Sequence, residues 1–411
     1  MTSGLIAIAS TGAVVMAGAP LDSLPLAAWF ILTCLIGVGW LRRHLDIRRA
    51  RREPGLSPDD AARLPDRAPS LSVLVAAKDE GENIGRCLDT LLGQQYPELQ
   101  VIAVNDRSAD DTGAIIDRRA AADPRLTALH VQSLPEGWFG KNHAMHTGVS
   151  HARGEWLAFT DADCTFDSPL LLAAAVAHAD RHGIDFLSVL PRLEARGFWE
   201  RVVQPVAGGV LLIWFPPRRV NDPRSACAYA NGAFMLLRRS AYERLGGHVP
   251  VRATLNEDMH LARRAKQLGL RLKVVRGGDL YRVRMYEGFP QIWRGWTRIF
   301  YGCFGTLPRL VGSVLLLSLF SLSPYLTIAL APLCGSAWPW LAGAGVFTVA
   351  AQQSVLVAFY RLTGNSPWLA ATYPLGAAVC LGMTLNAIRR LGGTTTTWRG
   401  TTYHGGAQTA P

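Results

Sequence analysis

The stretch Glu155-Trp156-Leu157-Ala158-Phe159-Thr160-Asp161-Ala162-Asp163 ends a short apolar run in two carboxylates two positions apart. Such a run reads as a buried strand, and a strand finishing in acids delivers them to its C-terminal edge, where open α/β sheets bind ligands. Two acids at i and i+2 on a turn can approach one hard divalent cation, and Mg²⁺ is commonly held by one or two carboxylates plus substrate phosphates. The chemistry implied is a metal–diphosphate site. The same residues would serve as an acidic turn capping the next helix, so the pair gains meaning only from its company.

Two more strands end in polar clusters. Leu71-Ser72-Val73-Leu74-Val75-Ala76-Ala77 runs into Lys78-Asp79-Glu80, and Gln100-Val101-Ile102-Ala103-Val104-Asn105 runs into Asp106-Arg107-Ser108. All three clusters are expected on one edge of a sheet, where they can line one cleft. Between them, Gly137-Trp138-Phe139-Gly140-Lys141-Asn142 is a glycine-flanked turn opening a helix. Backbone N–H groups there, with Lys141 beside them, suit a phosphate, although the first glycine and the Ser/Thr of a Walker A loop are missing. His143 and His146 stand one turn apart and read as surface histidines, a metal pair being the alternative. Asn256-Glu257-Asp258-Met259 opens a helix to about Leu268. As helix-start acids, Glu257 and Asp258 would be worth about 0.3–1 kcal/mol.

The elements that must position these groups alternate from Leu71 onward. Ile84, Cys87, Leu88, Leu91 and Leu92 repeat at helical spacing, a helix passes through Ile115 and Ile116, and a short strand spans about Leu126 to Val131. Repeated β-α units imply right-handed crossovers and a mainly parallel sheet, hence an α/β fold. Ala230 to Leu236 reads as a further strand, with Gly232 permitting close backbone approach. Phe198 to Pro217 is too short and interrupted for a membrane span and reads as an interfacial or buried helix.

With 411 residues, 49% of them apolar, the chain has the composition of a membrane-attached protein. The net charge of +11 is uneven: Arg42, Arg43, Arg48, Arg49, Arg51 and Arg52 crowd behind an apolar run. That is the position of cytoplasmic arginines under the positive-inside rule, and topology explains it better than nucleic acid, for which no motif is present. Seven scattered cysteines without a C-x-x-C pair indicate neither a disulfide framework nor a zinc knuckle.

Taken in order, Ala77-Lys78-Asp79-Glu80-Gly81-Glu82-Asn83-Ile84, then Asn105-Asp106-Arg107-Ser108-Ala109-Asp110-Asp111-Thr112, then Gly140-Lys141 with Ala144 and Gly148, then Asp161-Ala162-Asp163, resemble the successive signatures of family-2 glycosyltransferases. The resemblance implies a GT-A fold that binds a nucleotide sugar, with a UDP-sugar the expected donor and Mg²⁺ or Mn²⁺ the expected cofactor. It implies donor contacts at Glu80, Asp106, Lys141, Asp161 and Gly232, a metal held by Asp163 with Asp161, and a catalytic base at Asp258 with Glu257 as its neighbour. Lys78-Asp79 stands where the family commonly shows Arg-Asn. Gln291-Ile292-Trp293-Arg294-Gly295-Trp296 is close to the family's Gln-x-x-Arg-Trp motif, with Gly295 inserted before the tryptophan. By that match Gln291, Arg294 and Trp296 would meet the acceptor and the leaving diphosphate. Segment order and Val220-Asn221-Asp222-Pro223 look most like the hopanoid-associated, carotenoid and ceramide glycosyltransferases.

Apolar runs from Gly4 to Pro20 and Leu24 to Leu41 carry at least one N-terminal span, and Leu310–Leu333, Trp338–Tyr360 and Pro367–Ala387 are three more candidates. Three C-terminal spans starting in the cytoplasm would put Arg389 and Arg390 outside, against the positive-inside tendency; a re-entrant hairpin broken at Pro324 would restore the parity. The expected organisation is N-terminal membrane segment 1–41, basic linker 42–70, catalytic domain 71–288, interfacial amphipathic helix 289–306, membrane helices 307–390 and polar tail 391–411. Phe289, Trp293, Trp296, Phe300, Tyr301 and Phe304, interleaved with Arg294 and Arg298, suit the headgroup layer or ordinary packing against the catalytic domain.

The reading is thus an inverting, multi-pass enzyme of the inner membrane, its catalytic domain cytoplasmic, moving one sugar to a membrane lipid. A processive polysaccharide synthase is disfavoured by the altered Gln291 motif and the few C-terminal spans. A non-catalytic scaffold would not need Asp163, Asp258 and Arg294 together.

Overall fold

The computed structural model describes residues 23–53 and 55–391 and three short strands beyond them, Thr395–Trp398, Thr401–His404 and Ala407–Gln408. The apolar run from Gly4 to Pro20 lies outside the described residues. The chain divides into two compact units, Met1–Glu53 with Val311–Thr384, and Pro54–Leu310 with Leu385–Pro411.

In the first unit, helix α1 (Leu24–Arg52) begins at a Ser23 cap and continues through all six arginines. Arginine is a good helix former, and cations in a last turn complement the helix dipole, so the basic stretch extends the helix. Four helices among the described residues are long and apolar enough to cross a membrane: Leu24–Arg52, Leu307–Leu333, Gly335–Leu362 and Pro367–Arg389. The expected break at Pro324 does not form a hairpin. A π-helical segment, Leu316–Leu322, leads straight into the helix Ser323–Leu330. Proline has no N–H for the carbonyl four residues before it, that of Phe320. Trp40 Nε1 (2.8 Å) and Gln352 Nε2 (3.1 Å) donate to that carbonyl instead. With the freed acceptor satisfied inside the unit, the span stays continuous.

The second unit is built on a seven-stranded sheet of order β3-β2-β1-β4-β8-β6-β9. Its strands are β1 (Leu71–Ala77), β2 (Leu99–Asp106), β3 (Leu126–Val131), β4 (Trp156–Asp161), β6 (Phe186–Leu190), β8 (Phe234–Arg238) and β9 (Leu272–Arg276). A second, three-stranded sheet joins β5 (Cys164–Phe166), β7 (Arg192–Leu193) and β10 (Tyr281–Val283). Strands β1 to β4 are mutually parallel, and β8 runs antiparallel to β4 and β6. Helices α2 (Ile84–Leu92), α3 (Thr112–Ala122) and α4 (Gly140–His151) make the crossovers between the parallel strands, as the alternation predicts. Further along come α5 (Leu171–Arg181), α6 (Phe198–Trp214), α7 (Glu257–Gln267) and α8 (Phe289–Phe304).

Strand β4 is the spine of this sheet. Trp156, Leu157, Ala158 and Phe159 are at most 1% exposed, and the Arg238 guanidinium covers the Trp156 ring at 4.4 Å. Burial of side chains this large is worth about 1.5–3 kcal/mol each, which pins the register and therefore the position of the acids at the strand's end. Strand β8 starts at Phe234, four residues after the expected start, because the preceding backbone N–H groups bond side chains instead of a neighbouring strand. Ala233 N donates to Asn231 Oδ1 at 2.9 Å, and Asn231 N to Ser188 Oγ at 2.8 Å. Such an Asx turn diverts backbone donors from a sheet ladder.

Helix α6 is largely buried along Val202, Val203, Val206 and Val210 and packs beside α8, with Trp199 against Phe289 and Trp214 against Phe304. In α8 ordinary packing claims half of the six aromatics: Trp296, Phe300 and Phe304 are at most 3% exposed. Phe289 and Trp293 flank a surface groove with Pro290 and Arg294.

Candidate active site

Register brings the polar strand ends together. Ala76 pairs with Asp161 across β1 and β4, and Ala77 with Asn105 across β1 and β2, so the three clusters leave the sheet within about two residues of one another. The loops after β1 and β2 are then tied to each other. Asp79 N donates to Ser108 Oγ (3.0 Å), Ala109 N to Asp79 Oδ1 (2.8 Å), Glu80 N to Thr112 Oγ1 (2.8 Å) and Gly81 N to Asp110 Oδ2 (2.9 Å). Asp79 and Arg107, each just past a strand end, are the two non-glycine residues with positive φ among those described, at 52° and 54°. Backbone in that region costs energy and clusters where a loop is held for a purpose.

At the C-terminal end of β4, Lys141 is the hub. Its ammonium lies 2.6 Å from Asp161 Oδ1 and 2.7 Å from Glu257 Oε1, joining the acidic turn to the start of α7. Burial opposes the charge on Lys141, but the two carboxylates outweigh it and hold the ammonium well above its ordinary range. Asp258 accepts from Gly232 N at 2.9 Å and from its neighbour Met259 N at 2.7 Å. A Cβ on Gly232 would stand 3.1 Å from Lys141 Nζ and 3.4 Å from Asp258 Oδ2, so glycine there lets the backbone reach the point where lysine and acids converge. Burial, then the adjacent Glu257 charge, push the Asp258 carboxyl up to about 7, with Lys141 pulling the other way.

Asp163 Oδ1 is buried without a hydrogen-bond partner. Burial first, then the charges of Asp161 and Glu80, push this carboxyl up to about 8. A buried, unpartnered carboxylate oxygen beside two further acids is a cation-seeking arrangement, and oxygen-only donors suit Mg²⁺ or Mn²⁺. Asp161 and Asp163 are therefore chemically suited to hold such an ion with help from a substrate's phosphates. Among the described residues no group of three or more His, Cys, Asp or Glu side chains is placed as a complete protein cage.

The remaining residues singled out in the sequence fall in several places. Asp106 is 1% exposed and bidentate with the Arg107 guanidinium, at 2.7 and 3.0 Å, so the arginine is the more accessible partner. Glu80 Oε2 accepts from Asn83 Nδ2 at 2.9 Å. His146 stacks on Trp138 with ring centroids 5.0 Å apart, and His143 meets the same ring edge-on. Gln291 and Arg294 are exposed on α8, the Gln291 amide oxygen accepting from Glu287 N at 2.9 Å, whereas Trp296 is buried.

Tyr286 carries no signal of its own in the sequence that would place it beside this helix. A Cβ on Gly295 would collide with the Tyr286 ring and hydroxyl, so the glycine that interrupts the Gln-x-x-Arg-Trp pattern is the seat of that tyrosine. Arg298 donates to the Tyr286 hydroxyl, and Asp163 and Asp161 are near enough to act on it electrostatically. The segment is anchored by Arg284, which bonds Glu200 Oε1 at 3.2 Å and Glu287 Oε1 at 2.7 Å. Only the oddly placed glycine could have pointed to it.

Comparison with known proteins agrees with this architecture. Residues 72–246 match the model for glycosyl transferase family 2. A 4,4'-diaponeurosporenoate glycosyltransferase of Staphylococcus aureus (strain MRSA252) is 28% identical over 270 residues, covering 64% of this chain and 69% of its own. The enzyme of the same description from strain USA300 aligns over the same shares. Among solved structures, a mannosyltransferase from Pyrobaculum calidifontis in complex with GDP-Man and Mn²⁺ superposes with a TM-score of 0.51 at 20% identity, covering 87% of this chain and 99% of that one. The expected α/β architecture of GT-A type, with apolar helices near both ends of the chain, is borne out.

Proposed function

The chain carries a glycosyl transferase family 2 domain, and from that premise we propose an inverting transfer of a single sugar from a nucleotide-diphosphate donor to a hydroxyl of a membrane lipid. The observation that carries this reading is the Lys141 hub, which puts the acidic turn of Asp161 and Asp163 on one side and Glu257 with Asp258 on the other. A leaving diphosphate belongs with the first pair and an incoming hydroxyl with the second. In the step itself the acceptor oxygen bonds to the anomeric carbon, the bond from that carbon to the diphosphate breaks, and the acceptor proton passes to the Asp258 carboxylate. With one base and no carboxylate nucleophile assigned, the displacement inverts the anomeric centre. A divalent cation held by Asp163 and Asp161 would supply charge neutralisation at the diphosphate.

Support for the metal is the unpartnered Asp163 oxygen, together with the Mn²⁺ and GDP-Man of the Pyrobaculum structure. Support for a lipid acceptor is the four apolar helices and the carotenoid-type substrate in the Staphylococcus relative's name. A UDP-sugar is the donor to try first and a GDP-sugar the second. The six arginines of α1 favour a cytoplasmic catalytic unit on a multi-pass inner-membrane protein.

Asp258→Asn tests the assignment of the base. Its effect falls on the transition state, so donor affinity stays within about threefold while single-turnover transfer drops by about 10² to 10⁴. A folded, donor-binding mutant turning over within about threefold of wild type removes Asp258 from the mechanism. A long glycan in place of a single-sugar lipid, read by mass spectrometry of lipids from expressing cells, would replace the single-transfer reading with a synthase.

A further inference from the structure

The second unit contains the start of one candidate membrane span. Helix α8 is capped by Gly305, and Leu307 then opens the apolar helix Leu307–Leu333, whose first turn belongs to this unit. The end of α6 lies beside that turn: Trp214 meets Phe304 with ring centroids 6.1 Å apart, and the Arg309 guanidinium stands over the Phe215 ring at 5.8 Å. Two large apolar side chains stay uncovered here, Ile213 at 37% and Leu307 at 53% exposure.

The short helix Pro217–Asn221 leaves from this corner, with Arg218 and Arg219 exposed and Arg224 exposed just beyond it. Neither Arg218 nor Arg219 carries an ion pair among the described residues. The segment is fastened to the sheet. Asn221 Nδ2 donates to Val274 O at 2.9 Å and Val274 N to Asn221 Oδ1 at 2.7 Å, so one side chain pairs with the edge of β9 as a strand would. Lys273 Nζ donates to Asn221 O at 3.0 Å and Lys266 Nζ to Asp222 O at 2.7 Å, which adds two ammonium groups to the same surface. The carboxylate of the segment, Asp222, is engaged locally, accepting from Arg224 N at 2.9 Å. Cations crowded in this way repel one another, and an anionic layer lying against them offsets that cost. Exposed aliphatic groups beside them, at the start of a span, match the boundary between acyl chains and headgroups.

We propose that Arg218, Arg219 and Arg224, with Lys266 and Lys273 beside them, bind the phosphate headgroups of anionic phospholipids at the bilayer face where Leu307–Leu333 enters. A guanidinium presents paired donors to phosphate oxygens, which suits the exposed arginines to the direct contact. Through the Asn221 amide the headgroups hold the central sheet and not a loose loop, so lipid charge governs how firmly the catalytic unit rests on the membrane. The inference rests on the membrane attachment proposed above.

Hydrogen exchange of the full chain in lipid nanodiscs tests it. Backbone amides from 218 to 226 are followed in discs of phosphatidylcholine alone and in discs with about a third phosphatidylglycerol, with the amides of β2 as the reference for an intact fold. Wild type is expected to exchange in that segment about fivefold or more slowly in the anionic discs. Arg218→Gln with Arg219→Gln should lose the difference. Arg118→Gln with Arg181→Gln, which removes the same charge from exposed sites elsewhere, should keep it. Equal exchange in the two kinds of disc overturns the proposal, as does slowing that survives the first pair of substitutions or disappears with both pairs. Inorganic phosphate producing the same slowing in phosphatidylcholine discs also overturns it, by making the site one for a soluble anion. Wild-type protein that enters neither disc overturns the membrane reading itself, a result distinct from any of these.

Discussion

Replacing Lys141 by methionine keeps the length of the side chain and removes the one charge shared by both acidic groups. The Glu257 contact at 2.7 Å corresponds to a gross attraction of about 6 kcal/mol at an effective dielectric of about 20. Desolvation of the two ions offsets much of it, so the net worth of the pair is smaller. Truncation is a harsher operation than that net suggests, because it leaves a carboxylate only 5% exposed without its counter-charge, costing about 3–5 kcal/mol. Asp161, 36% exposed on its side chain, is screened by water and adds under about 1 kcal/mol.

The loss must depend on pH, and its sign follows from the acids left behind. Without Lys141, the carboxyl of Asp258, which burial and the Glu257 charge already push up to about 7, rises further above its unfolded value near 4. Groups raised in this way keep protons that the unfolded chain releases, so they lower stability progressively as pH climbs from about 4 through the folded pKa. The deficit of Lys141→Met is therefore expected at about 3–5 kcal/mol at pH 8 and clearly less at pH 5, where the Asp258 carboxyl is protonated and needs no counter-charge. The same loss of positive charge moves the acid limb of the pH–rate profile, expected near 7 in the wild type from Asp258, to higher pH in the mutant. Denaturant unfolding of the detergent-solubilised protein at the two pH values, with a single-turnover pH profile, measures both. A deficit below about 1 kcal/mol, or one identical at pH 5 and 8, would refute the hub as described.

Two further outcomes are expected. Asp163→Asn should abolish transfer and weaken donor binding only when Mg²⁺ or Mn²⁺ is present; calorimetry with and without EDTA reads this, and equal affinity of mutant and wild type in saturating metal ends the metal-ligand role. A single cysteine placed between residues 55 and 70 of a cysteine-free background should resist membrane-impermeant thiol reagents in intact cells and react after lysis; labelling before lysis would reverse the orientation argued from the α1 arginines.

Much of the molecule is written in local patterns. The apolar strands ending in Lys78-Asp79-Glu80, Asn105-Asp106 and Asp161-Ala162-Asp163 are legible because a buried strand needs an unbroken apolar run and the β-α alternation forces their ends onto one edge. The helices long and apolar enough to cross a membrane are legible as well, since length and apolarity are properties of the local sequence. What no local pattern carries is which side chains meet across long separations. Lys141 joins Asp161 to Glu257, 96 positions further along in the contact it makes with α7, only because β4, α4 and α7 converge. Pro324 reads locally as a break, yet the span continues because Trp40 and Gln352, distant in sequence, satisfy the carbonyl it frees. The face of α8 that packs inward is likewise a tertiary decision. Motif spacing names Arg294, but a helix can turn only one side to its neighbour, and the fit of Tyr286 onto Gly295 seats that side of the helix while Arg294 stays at the surface. Composition and periodicity settle which segments are strands, helices and spans; the direction in which each polar side chain points is set by packing, which depends on residues the local pattern does not contain.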